Sequence, residues 1–142
     1  MTNDFKELIN KDGNEITVSL PGTLSATATN YGVFYIVNRP IEIMKIKEVH
    51  STAGTDAGGS SLQIEKLIGT ASTGGGDNLL KVAFDLNGTS NTVLSRKGYE
   101  LYNNRILKEG NRLSLRLYGT PTDVAGVCVT IYYKYASNGH YV

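Results

Sequence analysis

Two segments near the C-terminal end alternate apolar and polar residues with a period of two. They are Arg112-Leu113-Ser114-Leu115-Arg116-Leu117-Tyr118 and Gly126-Val127-Cys128-Val129-Thr130-Ile131-Tyr132-Tyr133. Side chains two apart on a strand share a face, so each segment sends one row to a core and the other to water or a partner. From His50 to Tyr133, short stretches of this kind recur between Gly/Ser/Thr/Asn loops, with no long helical period among them. The chain is therefore a β module first, and any chemical site must sit on its loops or faces.

Upstream, Ile16, Val18 and Leu20 share a face, and Pro21-Gly22 reads as a type II turn that ends the strand. Tyr31 to Val37 is apolar on both faces. In Ile41 to Val49 the apolar phase shifts, with Ile41 and Ile43 on one side and Met44 and Ile46 on the other, which predicts a bulge near Met44. Ser51 to Ser60 reads as a loop and Leu62 to Ile68 as a strand. Thr70 to Asn78, with three consecutive glycines, reads as a flexible loop. Leu80, Val82, Phe84 and Leu86 alternate with polar or small residues as a strand, closed by a turn at Asn87-Gly88. Thr92 to Leu94 reads as a short strand, and Ser95 to Arg105 has no clear pattern. Strands at intervals of roughly 8–15 residues give an all-β chain, an antiparallel β-sandwich, jelly-roll-like, of about eight strands.

Residues 1–13 differ. Asp4 and Glu7 have capping-box spacing, and Phe5, Leu8 and Ile9 fall at i, i+3, i+4. A helix that short needs something to pack on, either its own domain or a neighbouring subunit. The expected organisation is an N-terminal arm over 1–13 and a single β-sandwich domain over 14–142, with Phe5, Leu8 and Ile9 as docking residues.

At 142 residues the chain is long enough to bury a core without staples. The 14 basic and 13 acidic residues nearly cancel and form no basic stripe, which argues against nucleic-acid binding. No apolar run approaches the ~18–20 residues of a membrane span, and the N-terminus lacks the pattern of a secretory signal. Cys128, the single cysteine, sits in an apolar run and reads as a sheet or core residue.

The histidines, His50 and His140, are far apart and read as surface or loop residues. No His-x-x-x-His, Cys-x-x-Cys or His-Glu pair marks a metal or catalytic site. Thr73-Gly74-Gly75-Gly76-Asp77 lacks the lysine of a phosphate loop. Asp56, Asp77 and Asp123 do not form a calcium ladder. No catalytic residue, cofactor site or metal site is expected, and the chain reads as a non-enzyme. Tyrosine is concentrated instead. Strand parity turns Tyr133 and Tyr135 toward the core, and turns Tyr132 and Tyr118 outward as contact residues.

One long run carries a resemblance. It starts at Val49-His50-Ser51-Thr52-Ala53-Gly54-Thr55-Asp56-Ala57-Gly58-Gly59-Ser60-Ser61-Leu62-Gln63-Ile64-Glu65-Lys66-Leu67. It continues through Gly69-Thr70, Leu79-Leu80, Phe84-Asp85-Leu86, Asn91-Thr92-Val93 and Gly110-Asn111-Arg112-Leu113-Ser114-Leu115. It closes with Gly119-Thr120-Pro121-Thr122 and Val127-Cys128-Val129-Thr130-Ile131. This order resembles small β-sandwich virion proteins of tailed bacteriophages, of the auxiliary capsid (decoration) or head-fibre kind, over about residues 45–133. Gly110-Asn111 stands where related chains often carry Gly-Asp. The resemblance implies a structural virion protein, made in the host cytoplasm and located in the virion. It would bind the major capsid protein and other virion proteins as a homo-oligomer or in many copies. The alternative is a receptor- or carbohydrate-binding module of a tail or fibre, acting through loops 51–60, 70–78 and 119–124.

Overall fold

Alternation becomes two facing sheets. The computed structural model describes residues 14–25 and 30–136; the expected arm with Phe5, Leu8 and Ile9, and also His140, lie outside them. Ten strands occur among the described residues: β1 Asn14–Thr23, β2 Asn30–Ile36, β3 Ile41–Val49, β4 Ser60–Leu67, β5 Asp77–Asn78, β6 Phe84–Asp85, β7 Leu94–Lys97, β8 Ile106–Leu107, β9 Arg112–Gly119 and β10 Ala125–Tyr135. The first sheet runs β1-β10-β3-β7, with β8 also on β3; the second runs β2-β9-β4-β5, with β6 also on β4. All pairs are antiparallel. Because β5 and β6 share one lane and β7 and β8 another, eight lanes are filled in the orders 1–8–3–6 and 2–7–4–5. That is the jelly roll, two Greek keys folded over one core.

The inward rows meet between the sheets. Ile46, Val129 and Ile131 come from the first sheet and Leu62, Ile64 and Leu115 from the second, all essentially inaccessible to water. Phe84 is the largest fully buried side chain among the described residues.

The bulge expected near Met44 is present. On β10, Tyr132 pairs with Lys45 and Tyr133 with Ile43, so Met44 is the extra residue. Ile41 and Ile43 face inward before it, and Ile46, Glu48 and His50 after it.

Three local expectations need correction. Pro21-Gly22 does not end β1. The ladder to β10 slips between Leu20 and Thr23 and resumes, with Gly22 at φ +74°. β1 is an edge strand, where a proline without an N–H is tolerated at a bulge. Leu80 to Leu86 is not one strand. Leu79 and Leu80 are consecutive and both buried, which a strand with one buried face cannot achieve, and Val82 is 64% exposed. The segment instead leaves the sheet: Lys81 N–H donates to the Glu100 carbonyl and Tyr102 N–H to that of Leu79. Only Phe84–Asp85 rejoins the ladder. Finally, the short strand near Thr92 lies later, at Leu94–Lys97, followed by two 3-10 turns, Gly98–Glu100 and Asn103–Arg105.

Candidate functional site

The outer face of the first sheet is built from β3, β7 and β10. Lys45 and Lys47 project from β3 because the Met44 bulge resets the parity, and Tyr132 projects from β10 between them. The Lys45 Nζ lies 4.7 Å and the Lys47 Nζ 5.4 Å from the Tyr132 ring centroid. Among the described residues, neither ammonium has a carboxylate partner. Lys97 stands opposite Lys45 on β7 and is exposed. Lys134 reaches Glu42 at 3.8 Å, and Glu42 also meets Arg105 at 3.5 Å. Glu15 on β1 pairs across from Tyr132. Four lysines thus share the face with two glutamates. Beside Tyr132 a hollow of about 270 Å³ is lined by Lys47, Val93, Cys128 and Thr130. Cys128 is a half-buried sheet residue there, with the Ser19 hydroxyl 3.7 Å from its sulfur.

The outer face of the second sheet is organised around Glu65. Its carboxylate is fully buried because the 70–78 loop folds over it. It accepts hydrogen bonds from Gly74 N–H, from Gly76 N–H at 3.1 Å and from the Ser114 hydroxyl at 2.9 Å. The Arg116 guanidinium lies 3.8 Å away. The glycine loop is therefore stapled down, not the free turn its composition suggests. At Gly76 a Cβ would sit 2.6 Å from the Lys66 carbonyl oxygen, so no larger residue fits that close approach. Arg116 passes the anchorage on, lying 4.9 Å from the Tyr118 ring centroid, while Asn78 Nδ2 donates to the Tyr118 hydroxyl at 3.3 Å. Next to Tyr118 opens a shallow groove of about 420 Å³, floored by Gly58, Gly59 and Gly119 and bounded by Ser61, Val82 and Asp85.

Inside the sandwich, sequence reasoning missed a titratable pair. His50 is fully buried, not a surface residue, and Glu48 is its partner: Nδ1 lies 2.9 Å from Glu48 Oε2 and Nε2 lies 2.9 Å from the Gly88 carbonyl oxygen. A carbonyl can only accept, so Nε2 carries a hydrogen. One further proton must then lie between Nδ1 and the carboxylate. Burial raises the Glu48 carboxyl above its ordinary value, only partly offset by the bond to His50. Burial alone would lower the imidazole, but the Gly88 carbonyl and the Glu48 carboxylate outweigh it and the net shift is upward. Glu48 Oε1 is buried and unpartnered. The signal in the sequence was the i, i+2 spacing of Glu48 and His50, which on a strand means one face. Among the described residues, no three His, Cys, Asp or Glu side chains gather as a metal site would require.

The expected outward tyrosines are outward, but on opposite sheets, Tyr132 on β10 of the first and Tyr118 on β9 of the second. One flat contact cannot use both. Tyr133 faces the core, with its ring edge-on to that of Tyr135 at 5.7 Å. The groups that sequence reading did not single out are Lys45, Lys47, Ser61 and Asp85.

No protein-family model and no curated protein sequence matches the chain. Among solved structures it is similar to a chain of the capsid of Ralstonia phage GP4, with a TM-score of 0.62 and 10% identity, over 92% of this chain and 88% of that one. At that identity the likeness shows a shared fold.

Proposed function

We propose that the protein is a structural component of a tailed-phage virion: an auxiliary capsid protein, present in many copies, that sits across neighbouring shell subunits. The observation that carries this reading is the jelly roll held in common with a phage capsid chain over nearly the full length of both. The first sheet's outer face supports it. Two ammonium groups without carboxylate partners flank a tyrosine on a stiff strand, a surface matched to an acidic patch of the major capsid protein. Tyr132 is the aromatic anchor of that contact, and Phe5, Leu8 and Ile9 of the N-terminal arm add a second, apolar one. Many such contacts of modest strength add up on a repeating shell. No step of this role needs catalysis.

The test is co-sedimentation of the purified protein with phage particles that lack it. Binding should weaken as salt rises, fall at least tenfold for the double substitution Lys45→Glu and Lys47→Glu, and be lost when residues 1–13 are removed. Failure to associate with particles, or undiminished binding by both variants, overturns the proposal.

A further inference from the structure

We propose that the groove on the second sheet is a binding site for a neutral saccharide, formed by Ser61, Asp85 and Tyr118. Register places Ser61 opposite both Tyr118 and Asp85. The three side chains therefore stand in one row across β9, β4 and β6, spanning roughly 10 Å at ordinary strand spacing. That is comparable with one pyranose ring and its hydroxyls.

Each member of the row has unspent hydrogen-bonding capacity. Asp85 Oδ1 accepts from Asn87 N–H at 2.9 Å, while Oδ2 has no partner among the described residues. The Ser61 hydroxyl likewise makes no bond among them. Tyr118 spends only its oxygen, on Asn78, and keeps its proton to donate. The row thus offers a charged acceptor, a hydroxyl that can do either, and a phenolic donor, the mixture that a polyol can satisfy. Hydrogen bonds to the carboxylate are the strong ones of the set.

The apolar half of the match comes from Tyr118 and Val82. The tyrosine is 36% exposed and fixed twice, through its hydroxyl and against Arg116. An aromatic surface held in place before binding offers the C–H face of a sugar large contact area at little entropy cost. The glycine floor lets a ring approach the backbone, and a side chain at Gly119 would run into the Gly59 carbonyl.

Other occupants fit worse. An extended peptide would need a free sheet edge, but at Ser61 β4 is paired on both sides and the edge beside it, β6, is only 2 residues long, too short a ladder to hold an added strand. An acidic sugar would place its carboxylate against Asp85. The groove and the lysine face lie on opposite sheets, so saccharide binding does not depend on the shell-docking reading.

The experiment is an NMR titration of the isolated full chain, labelled with ¹⁵N. The probes are short oligosaccharides of glucose, galactose, mannose and N-acetylglucosamine, with glucuronate and sialic-acid oligosaccharides alongside. We expect at least one neutral probe to move the amides of Gly58–Ser61, Val82–Asp85 and Tyr118–Thr120 and few others. Asp85→Asn, which keeps the acceptor for Asn87, should weaken that binding tenfold or more, and Tyr118→Ala should abolish it. Thermal melts of both variants check that they fold. Shifts with no neutral probe, stronger binding of the acidic ones, or affinity indifferent to both substitutions overturns the site. Failure to bind phage particles would leave this result untouched.

Discussion

Replacing Glu65 by alanine tests whether a buried carboxylate holds the glycine loop. The substitution strips acceptors from two loop amides and the Ser114 hydroxyl, and leaves Arg116 without its anion. Hydrogen bonds to a charged group contribute about 1.5–3 kcal/mol each, so three of them in a rigid site would give roughly 5–9 kcal/mol. The site is not rigid in that sense. Gly74 and Gly76 can lift into water with their loop, and the Arg116 side chain, 31% exposed, can swing outward. What remains is close to the ~3–5 kcal/mol of a buried charge pair that loses one partner, and we place the loss at about 3 kcal/mol. For a domain of this size that lowers Tm by about 10 °C. Differential scanning calorimetry reads the shift, and hydrogen exchange locates it: the Gly74 and Gly76 amides should lose protection while those of β10 keep it. A Tm within about 2 °C of the parent, with exchange unchanged at both glycines, would refute the idea that Glu65 anchors the loop.

The Glu48–His50 pair makes stability pH-dependent in a definite direction. Both groups hold protons more tightly in the folded chain, against ordinary values of 4.5 and 6.5. The unfolded chain therefore binds fewer protons above those values, and stability falls as pH rises. For His50 the contribution is complete below pH 6.5 and is lost as pH climbs through the folded value. The negative charge of Asp85, on the outer face of the second sheet, adds to both upward shifts. Glu48→Gln puts an amide donor opposite Nδ1 and removes the need for the shared proton. Urea unfolding from pH 6 to 9 should show a flatter decline for this variant than for the parent; parallel curves would discard the assignment. Gly119→Ala must adopt φ +79° and thrust a Cβ into the Gly59 carbonyl. It should cost about 3 kcal/mol or more in denaturant melts, and a loss under ~1 kcal/mol would mean the two strands separate more easily than their packing implies.

The strong strands were legible because period-two patterning is a local property. β9 and β10 were read from the alternation of Leu113, Leu115, Leu117 and of Val127, Val129, Ile131, and the Met44 bulge from the phase of its neighbours. What escaped was set by distant partners. Leu80 to Leu86 has perfect alternation, yet the backbone of Glu100 and Tyr102 draws its first half off the sheet. The anchorage of the 70–78 loop was invisible because Glu65 grips backbone amides, and a glycine run looks the same whether gripped or free. His50 was misjudged because it was read as an isolated histidine at the entrance of a loop, although the bulge read at Met44 already placed it in phase with Ile46 and Glu48. Only the bulge turns it inward. The groove depends on Ser61, Asp85 and Tyr118, which are 24 or more positions apart in the chain and meet through register alone.

That single surplus residue in β3 acts on side chains as a one-base slip acts on a reading frame. Everything downstream of Met44 is read out with inside and outside exchanged, so the proton-sharing pair and the lysine pair are two products of the same dislocation. Pairing Met44 into a regular ladder would drive Lys45, Lys47 and Val49 into the oil and turn Glu48 and His50 out to the solvent, whereas excising it would leave the inward row of Ile43, Ile46, Glu48 and His50 as it is. What fixes the two faces is that one residue stays unpaired there, not which side chain it carries.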